Sequence, residues 1–195
     1  MYSIVIQAGG KSSRMGQDKS FLMICGKPMI QHIIERVSGL GDDLIVTTNE
    51  PDKFIGFKAR FVQDEFAGVG ALAGLHAGIK AARNDLVIAV ANDMPFINYA
   101  LFEYMQQLVQ ADLDVVIPHN DTGYEPFYAV YRRSTCLPAI EKAIQDQKRR
   151  IISWFDTVTI RTVENDELKK FDPHGLTFFN VNTPEDALFA EQNCV

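Results

Sequence analysis

Apolar residues along this chain follow two alternating patterns. Short runs rich in β-branched residues predict strands, and longer segments with apolar residues at helical spacing predict helices between them. Thr183 followed by Pro184 also marks a helix start, since a capping threonine precedes a proline at the first helical position. The predicted strands span 3–6, 44–47, 60–62, 86–91, 114–118, 127–132, 158–163 and 177–179, and the predicted helices span 28–37, 71–82, 99–110, 134–145, 149–155 and 183–192.

This alternation of strands and helices predicts an α/β fold that is doubly wound around a mostly parallel sheet. No repeat, low-complexity segment or linker interrupts it, so we interpret residues 1–195 as one domain. Ligands in such sheets bind beyond the carboxyl ends of the strands, near the point where the strand order reverses. The residues that follow the predicted strands are therefore the candidates for a binding site: the segment 7–19, Asn49, Asp64, Asp93, Asn180 and Asn182.

The first candidate is the segment QAGGKSSRMGQDKS, from Gln7 to Ser20, which follows the first predicted strand. Its three glycines allow backbone N–H groups to point at an anion, and Lys11, Arg14 and Lys19 supply positive charge. The segment fits neither the GxxxxGK[ST] phosphate loop nor the GxGxxG dinucleotide loop. We interpret it as a phosphate loop of another type; the alternative is a tight turn whose charges are solvated.

Asp93 follows the apolar predicted strand 86–91 and stands two residues before Pro95. A carboxylate at this point is a hard oxygen ligand of the kind that Mg²⁺ takes together with phosphate oxygens and water. Paired with a phosphate loop at another strand end, it predicts metal-assisted phosphoryl or nucleotidyl transfer. Taken alone, Asp93 fits a turn-forming aspartate before a proline just as well.

Two other segments carry competing interpretations. Residues 68–73, GVGALA, match the G-x-G-x-x-[GA] dinucleotide pattern with Asp93 about twenty residues downstream, which would suit a dehydrogenase. However, residues 64–67 separate these glycines from the preceding predicted strand, whereas the fingerprint belongs in the tight turn after the first strand. The basic run 148–150 is either a solvated helix start or a second anion site.

Composition excludes several classes of function. The chain of 195 residues carries a net charge of -6, which disfavours a sequence-independent grip on nucleic acid because such binding needs many contacts to phosphate. No apolar stretch approaches the length of a membrane span, and the first residues lack the basic start of a signal peptide. We therefore expect a cytoplasmic protein with no nucleic-acid or membrane partner.

Four motifs, AGGKSSRMGQDK, NDMPF, EPFYAVYRR and FFNVNTPEDA, occur in this order between Ser3 and Leu188. Together they resemble the molybdopterin nucleotidyltransferase family, and most closely its molybdenum cofactor guanylyltransferase branch. Ala8-Gly9-Gly10 favours that branch, because the cytidylyltransferase relatives tend to carry Ala-Ala-Gly. The resemblance implies a Rossmann-like sheet of the nucleotide-diphospho-sugar transferase type.

The resemblance also implies roles for the candidate residues. Gln7 departs from the family, which usually has an apolar residue before Ala-Gly-Gly, and its amide would lie beside the guanine base. Asp64 is a candidate acceptor for the N1–H and N2 amine of guanine. The implied assignments are nucleotide binding by Gln7, Ala8, Gly9, Gly10, Lys19, Asn49, Asp64 and Asp93, catalysis by Arg14, Lys19 and Asp93, Mg²⁺ binding by Asp93, and molybdopterin binding by Asn180, Asn182 and either Arg149 or Arg150.

The implied reaction is the transfer of GMP from GTP to the phosphate of molybdopterin, with Mg²⁺ as cofactor and pyrophosphate as the second product. GTP and molybdopterin are the implied partners, and proteins that carry molybdopterin or receive the finished cofactor are further candidates. Two enzyme alternatives stay open, a molybdenum cofactor cytidylyltransferase and a sugar-phosphate nucleotidyltransferase. From another class, a non-catalytic nucleotide-binding module would bind GTP without needing Asp93 or Mg²⁺.

Overall fold

The computed structural model describes residues 1–9, 18–66 and 68–193. Within these ranges, no helix is both long enough and apolar enough to cross a membrane. The strands are β1 (Tyr2–Gln7), β2 (Met23–Ile24), β3 (Lys27–Pro28), β4 (Asp43–Thr47), β5 (Arg60–Val62), β6 (Leu86–Ala91), β7 (Val115–Asn120), β8 (Gly123–Tyr124), β9 (Tyr128–Arg132) and β10 (Ile160–Glu164). The α-helices are α1 (Met29–Val37), α2 (Ala71–Ala81), α3 (Tyr99–Leu108), α4 (Arg133–Gln145), α5 (Asn165–Leu168) and α6 (Pro184–Gln192), and short 3-10 turns span Lys19–Phe21, Pro51–Phe54 and Phe155–Thr157.

One mixed sheet forms the centre of the structure, with the strand order β10-β7-β9-β6-β1-β4-β5 and with β8 paired to β7. β1 is parallel to both of its neighbours, β4 and β6, and β5 continues the parallel arrangement. β9 is antiparallel to β6 and to β7, while β10 is parallel to β7. The prediction of a mostly parallel sheet is therefore confirmed, and β9 is the strand that reverses direction within the main order.

Helices cover both faces of this sheet. α1, α3 and α6 pack on one face, where Ile33, Phe102 and Ala190 join the buried core. α2 and α4 pack on the other face, where Leu75 and Ile140 do the same. Burial on both faces explains why strands such as β6 consist of uninterrupted apolar residues. The predicted doubly wound fold is confirmed.

Two glycines let α2 lie very close to β1. A Cβ atom at Gly78 would lie 2.3 Å from Cγ1 of Val5, and a Cβ atom at Gly74 would lie 2.0 Å from Nε2 of Gln7. Atoms do not approach this closely, so a side chain at Gly78 would clash with the branched Val5, and one at Gly74 would displace the Gln7 amide from its present position. The close approach brings the first turn of α2 beside the carboxyl end of β1.

The predicted helix at 149–155 is wrong. These residues form successive turns that lead into a 3-10 turn at Phe155–Thr157. Trp154 closes one of the turns by donating from Nε1 to the carbonyl of Ile151 at 2.9 Å. The apolar residues of this segment fill the core on the α2 and α4 face, and that burial does not require helical geometry.

The predicted strand at 177–179 is also wrong. The N–H groups of Leu176 and Thr177 donate to the carboxylate of Asp172 at 2.9 and 2.8 Å. This side chain therefore folds the segment into a turn, since it takes up backbone donors that a sheet neighbour would otherwise receive.

The order of the strands creates a crevice at the carboxyl end of β1. The chain runs from β1 to β4 and β5 on one side, and then returns through α2 to β6 on the other side of β1. Along the strand order, the connection after β1 therefore leads toward β4 on one side, and the connection after β6 leads toward β7 on the other side. This is the topological switch point at which doubly wound folds bind their ligands.

An ion pair with a buried carboxylate ties β1, β4 and β5 together at the opposite edge of the sheet. The carboxylate of Asp43 accepts from Ser3 Oγ at 2.7 Å, from the Arg83 N–H at 3.0 Å and from the Arg60 guanidinium between 2.7 and 2.9 Å. Only 3% of the Asp43 side chain is exposed. Burial alone would raise the pKa of Asp43, but these hydrogen bonds and the charge of Arg60 outweigh it and hold the pKa below its usual range.

Asp43→Asn is expected to lower the free energy of unfolding at neutral pH by about 2–3 kcal/mol, because the charge of Arg60 loses its buried partner. Since the pKa of Asp43 is lower in the folded chain than in the unfolded chain, the stabilisation is present above the unfolded value of about 3.9. It is lost as pH falls through the folded value. Urea unfolding from about pH 7 to about pH 3 measures both effects.

Asp42→Asn is the matched control for this experiment. The exposed carboxylate of Asp42 accepts from Asn84 Nδ2 at 2.7 Å, so its removal is expected to change stability little. The difference between wild type and Asp43→Asn should shrink at acid pH. A difference that stays constant with pH would contradict the assigned role of the ionised carboxylate.

Candidate active site

Three segments that are far apart in sequence meet around the ammonium group of Lys19. Lys19 Nζ lies 3.6 Å from Asp93 Oδ2 and donates to Asn182 Oδ1 at 2.5 Å. Lys19 comes from the segment after β1, Asp93 follows β6, and Asn182 precedes α6. The structure thus brings together the residues predicted to bind phosphate, metal and acceptor.

Hydrogen bonds from the loop after β6 hold these segments in place. The Asn92 N–H donates to the carbonyl of Gln7 at 3.1 Å, and Asn92 Nδ2 donates to Ser20 Oγ at 2.7 Å. The carbonyl of Asp93 accepts from the Val181 N–H at 2.9 Å. The end of β1, the residues next to Lys19 and the segment before α6 are therefore anchored to the same loop.

The start of α6 fixes the backbone of Asn182. Thr183 caps the helix by accepting from the Asp186 N–H, and the Asp186 carboxylate accepts from the N–H groups of Asn182 and Thr183 at 2.8 Å. The amide side chain of Asn182 is left to accept from the lysine ammonium. Asn180 is oriented differently, since its Nδ2 donates to the carbonyl of Phe178 at 3.0 Å.

The carboxylate of Asp93 lies in a partly buried position, with 23% of its side chain exposed. Burial raises the pKa of Asp93 above its usual value, and the ammonium of Lys19 offsets only part of this rise. A carboxylate whose negative charge is only partly compensated is stabilised further when a second cation binds beside it.

The donor atoms at Asp93 suit a metal ion that is shared with a substrate. In the part of the chain that the structure describes, no group of three or more His, Cys, Asp and Glu side chains could enclose a metal. Mg²⁺ does not need such a cage, because it usually binds one or two carboxylates and completes its shell with phosphate oxygens and water. A single hard carboxylate beside the ammonium of Lys19 fits that mode of binding.

On the other side of β1, the predicted nucleotide residues after β4 and β5 bind each other. Asn49 Nδ2 donates to Asp64 Oδ2 at 2.8 Å, and the Asp64 N–H donates to Asn49 Oδ1 at 3.3 Å. Asn49 is exposed and Asp64 is half-buried. Both residues lie at the same edge of the sheet as Lys19, because β4 and β5 run parallel to β1.

The residues at the end of β1 are largely engaged within the protein. The Ala8 N–H donates to the carbonyl of Thr47 at 2.9 Å, so this donor is already used. The side chain of Gln7 turns toward α2 and accepts from Thr47 Oγ1 at 2.7 Å. Gly9 is exposed, and its backbone is accessible to a ligand.

Arg149 and Arg150 are not in contact with Lys19, and two further predicted site residues, Gly10 and Arg14, lie outside the described residues. Arg149 and Arg150 lie exposed just beyond α4, and neither side chain forms a hydrogen bond or ion pair with another residue that the structure describes. α4 follows the antiparallel strand β9, so it ends at the carboxyl edge of the parallel strands. The topology therefore places both arginines at the same edge of the sheet as Lys19.

Residues 68–73 do not form the turn of a dinucleotide-binding fold. They lie between β5 and α2, where Gly70 with a φ of 74° directly precedes the helix. The fingerprint belongs directly after the first strand, and that position is taken by the segment that leads to Lys19. The dehydrogenase interpretation therefore lacks its structural context.

Sequence reasoning misses three small polar residues that organise the site. Ser20 and Asn92 join two loops, and Thr47 orients Gln7. The available signal is weak: each of them is adjacent to a predicted site residue or ends a strand. Their partners depend on tertiary contacts and on strand register, which the sequence does not display.

Comparison with known proteins gives consistent matches over almost the whole chain. The family described as the MobA-like NTP transferase domain matches residues 4–160. A probable molybdenum cofactor guanylyltransferase of Peptoclostridium acidaminophilum is 35% identical over 94% of this chain and 86% of its own. A molybdenum cofactor guanylyltransferase of Desulfosudis oleivorans is 33% identical over 96% of this chain and 93% of its own.

A solved structure agrees with these matches. The crystal structure of molybdopterin-guanine dinucleotide biosynthesis protein A from Archaeoglobus fulgidus superposes with a TM-score of 0.84 at 29% identity, and the match covers 98% of this chain and 97% of that one. The agreement extends beyond the sheet to the segment that carries Asn182, which lies past the residues of the family match. This chain therefore belongs to the family of MobA-like NTP transferases.

Proposed function

We propose that this chain transfers GMP from GTP to the phosphate of molybdopterin, releasing pyrophosphate and forming molybdopterin guanine dinucleotide. The observation that carries this proposal is the meeting of Lys19, Asp93 and Asn182 at the switch point of the sheet. Relatives that align with nearly the whole chain are named molybdenum cofactor guanylyltransferases. The site and the relatives support the same nucleotidyl transfer.

The reaction needs little acid–base chemistry from the protein. An oxygen of the molybdopterin phosphate forms a bond to the α-phosphorus of GTP, and the bond from that phosphorus to the bridging oxygen of the pyrophosphate breaks. A phosphate monoester has a second pKa of about 6, so the attacking oxygen is already largely ionised at neutral pH. The main obstacles are repulsion between two anions and the charge that grows on the leaving pyrophosphate.

The residues around Lys19 address these obstacles. Its ammonium neutralises phosphate charge, and Asn182 holds it at the position where that charge develops. Asp93 would hold Mg²⁺, which supplies further charge neutralisation when it is bound to the phosphates. Arg14 is proposed to add a second cation to the same phosphates. Asn49 and Asp64 are proposed to bind the nucleoside on the β4 side of the site.

The acceptor is proposed to bind on the side of Asn180 and Asn182, with Arg149 or Arg150 as the partner of its phosphate. Their position at the carboxyl edge of the sheet supports this assignment. We also propose that the chain acts as one domain in the cytoplasm, where proteins that carry molybdopterin or receive the product would contact it.

The direct test is nucleotide transfer by the purified protein. Molybdopterin and Mg²⁺ are supplied with either GTP or CTP, and pyrophosphate release is measured together with nucleotide incorporation. Preferential use of GTP supports the proposal. Preferential use of CTP would identify the reaction as cytidylyl transfer. Reaction with a sugar 1-phosphate in place of molybdopterin would identify a different acceptor.

Lys19→Ala is expected to lower kcat/KM for transfer by at least about a hundredfold, because an ammonium that stabilises transition-state charge is removed. Lys142→Ala is the matched control, since Lys142 is an exposed lysine on α4 that pairs with Asp146. The control should keep the wild-type rate, and thermal unfolding should show that both variants fold. Wild-type turnover by Lys19→Ala would remove this residue from the mechanism.

Asp93→Asn is expected to lose transfer activity and to gain stability at neutral pH. The pKa of Asp93 is raised in the folded chain, so the native state is favoured at low pH and loses this contribution as pH rises through the folded pKa. The asparagine variant stays neutral and avoids the loss. Chemical unfolding across the acid range should show a stability difference that grows with pH, while half-saturation by Mg²⁺ in the wild type should need more metal at acid pH. A variant that is less stable at every pH would contradict the assigned electrostatics.

A further inference from the structure

The side-chain amide of Gln7 packs closely between β1 and α2. The residue is 9% exposed, and its amide lies flat against α2. It fits there because Gly74 has no side chain: a Cβ atom at that position would lie 2.0 Å from Nε2 and 2.3 Å from Oε1 of Gln7. A hydrocarbon side chain of similar length would fill the same space without any hydrogen-bonding direction.

Thr47 sets the direction of this amide. The two residues are register partners in the pair of β1 with β4, and Thr47 is 2% exposed. Its hydroxyl donates to Oε1 of Gln7 at 2.7 Å; the carbonyl of Ile6 is the other acceptor in reach, at 3.4 Å. Because a hydroxyl has one proton, the shorter contact takes it. Oε1 is therefore occupied, and Nε2 keeps its donor capacity.

The free donor lies beside Gly9, at the carboxyl end of β1. If Gly9 carried a Cβ atom, that atom would lie 3.3 Å from Nε2 of Gln7, which would be its nearest neighbour. Among the residues that the structure describes, no hydrogen-bond acceptor is paired with Nε2. Thr47 stands two residues before Asn49, which is bonded to Asp64. The Gln7 amide thus lies between the start of the predicted phosphate segment and the predicted nucleoside residues.

We propose that Thr47 is a positioning residue that fixes the Gln7 amide with its N–H groups toward the base, and that this donor selects 6-oxo purines over 6-amino purines. The inference rests on the proposed function, since it places the nucleoside of the donor substrate on the β4 side of β1. The O6 atom of guanine or hypoxanthine accepts from Nε2. The 6-amino group of adenine is a donor, so adenine leaves two donors facing each other without an acceptor.

The test compares GTP, ITP and ATP as substrates of the wild type and three variants. Thr47→Val removes the hydroxyl and keeps the shape, so the amide is free to turn and present Oε1 to adenine. The ratio of kcat/KM for GTP over ATP is expected to fall about tenfold or more. Thr47→Ser retains the hydroxyl and should keep the wild-type ratio. Thr48→Val is the matched control, since Thr48 is also buried at the end of β4 but accepts from the Glu50 N–H.

ITP separates this contact from recognition by Asp64. ITP retains O6 and lacks the 2-amino group, so the ratio of ITP over ATP should fall as the GTP ratio does. The ratio of GTP over ITP should stay unchanged in Thr47→Val. A fall of GTP over ATP that is carried by GTP over ITP while ITP over ATP stays constant, or an unchanged ratio of GTP over ATP, would overturn the proposal.

A second variant keeps the inference testable if thermal unfolding shows that Thr47→Val does not fold. Gln7→Glu retains the volume that fits against Gly74 but presents only acceptors to the base. It should lose the preference for GTP over ATP; a retained preference would overturn the proposal. Equilibrium titration of the three nucleotides without molybdopterin reports the same selectivity when transfer fails. Selective binding without transfer would reject the proposed function alone, and transfer with an unaltered base preference in the variants would reject this inference alone.

Discussion

Parallel pairing of β1 with both β4 and β6 is the constraint on which the site depends. The register sets Gln7 opposite Thr47 on one side and opposite Ala91 on the other, so three strands end at one level. Because all three carboxyl ends point the same way, the segments beyond them leave the sheet side by side. The connection after β1 then leads to β4 on one side, while the connection after β6 leads to β7 on the other side. Lys19 and Asp93 meet in the crevice between these two connections.

Neutral hydrogen bonds hold the charged groups of this crevice. Asn92, Ser20 and Val181 fix the backbone and loops, while the charges of Lys19 and Asp93 stay 3.6 Å apart without a tight contact. A short ion pair would compensate both charges internally and leave little field for a bound anion. The amide of Asn182 accepts from the ammonium instead, and this neutral partner leaves the positive charge of Lys19 only partly compensated. The residues that hold the loops in place are thus different from the two residues that carry the charges.

Sequence reasoning succeeds where backbone direction decides the outcome. Lys19 and Asp93 are predicted to lie together because each follows a parallel strand, and parallel strands bring their carboxyl ends to one edge. Asn182 also lies there, although the strand at 177–179 from which it is predicted does not form. The capped start of α6 is also local, since Thr183 and Asp186 are three residues apart. By contrast, the Asn92 contact with Ser20 joins residues 72 positions apart, and the Thr47 contact with Gln7 requires the strand register. The apolar spacing at 149–155 leads to a wrong helix prediction, because these residues form turns that still bury apolar side chains in the core.

The contact between Lys19 and Asn182 spans 163 positions of the chain. Protein synthesis therefore delivers the lysine 163 residues before the asparagine that binds it. A growing chain can pair β1 with β4 and β6 long before Val181 emerges to bond the carbonyl of Asp93. Until then, the lysine and the aspartate lack the segment that orients the lysine ammonium. Loop closure over so many residues is also a late step in folding, so catalytic competence should be among the last properties that the nascent protein acquires.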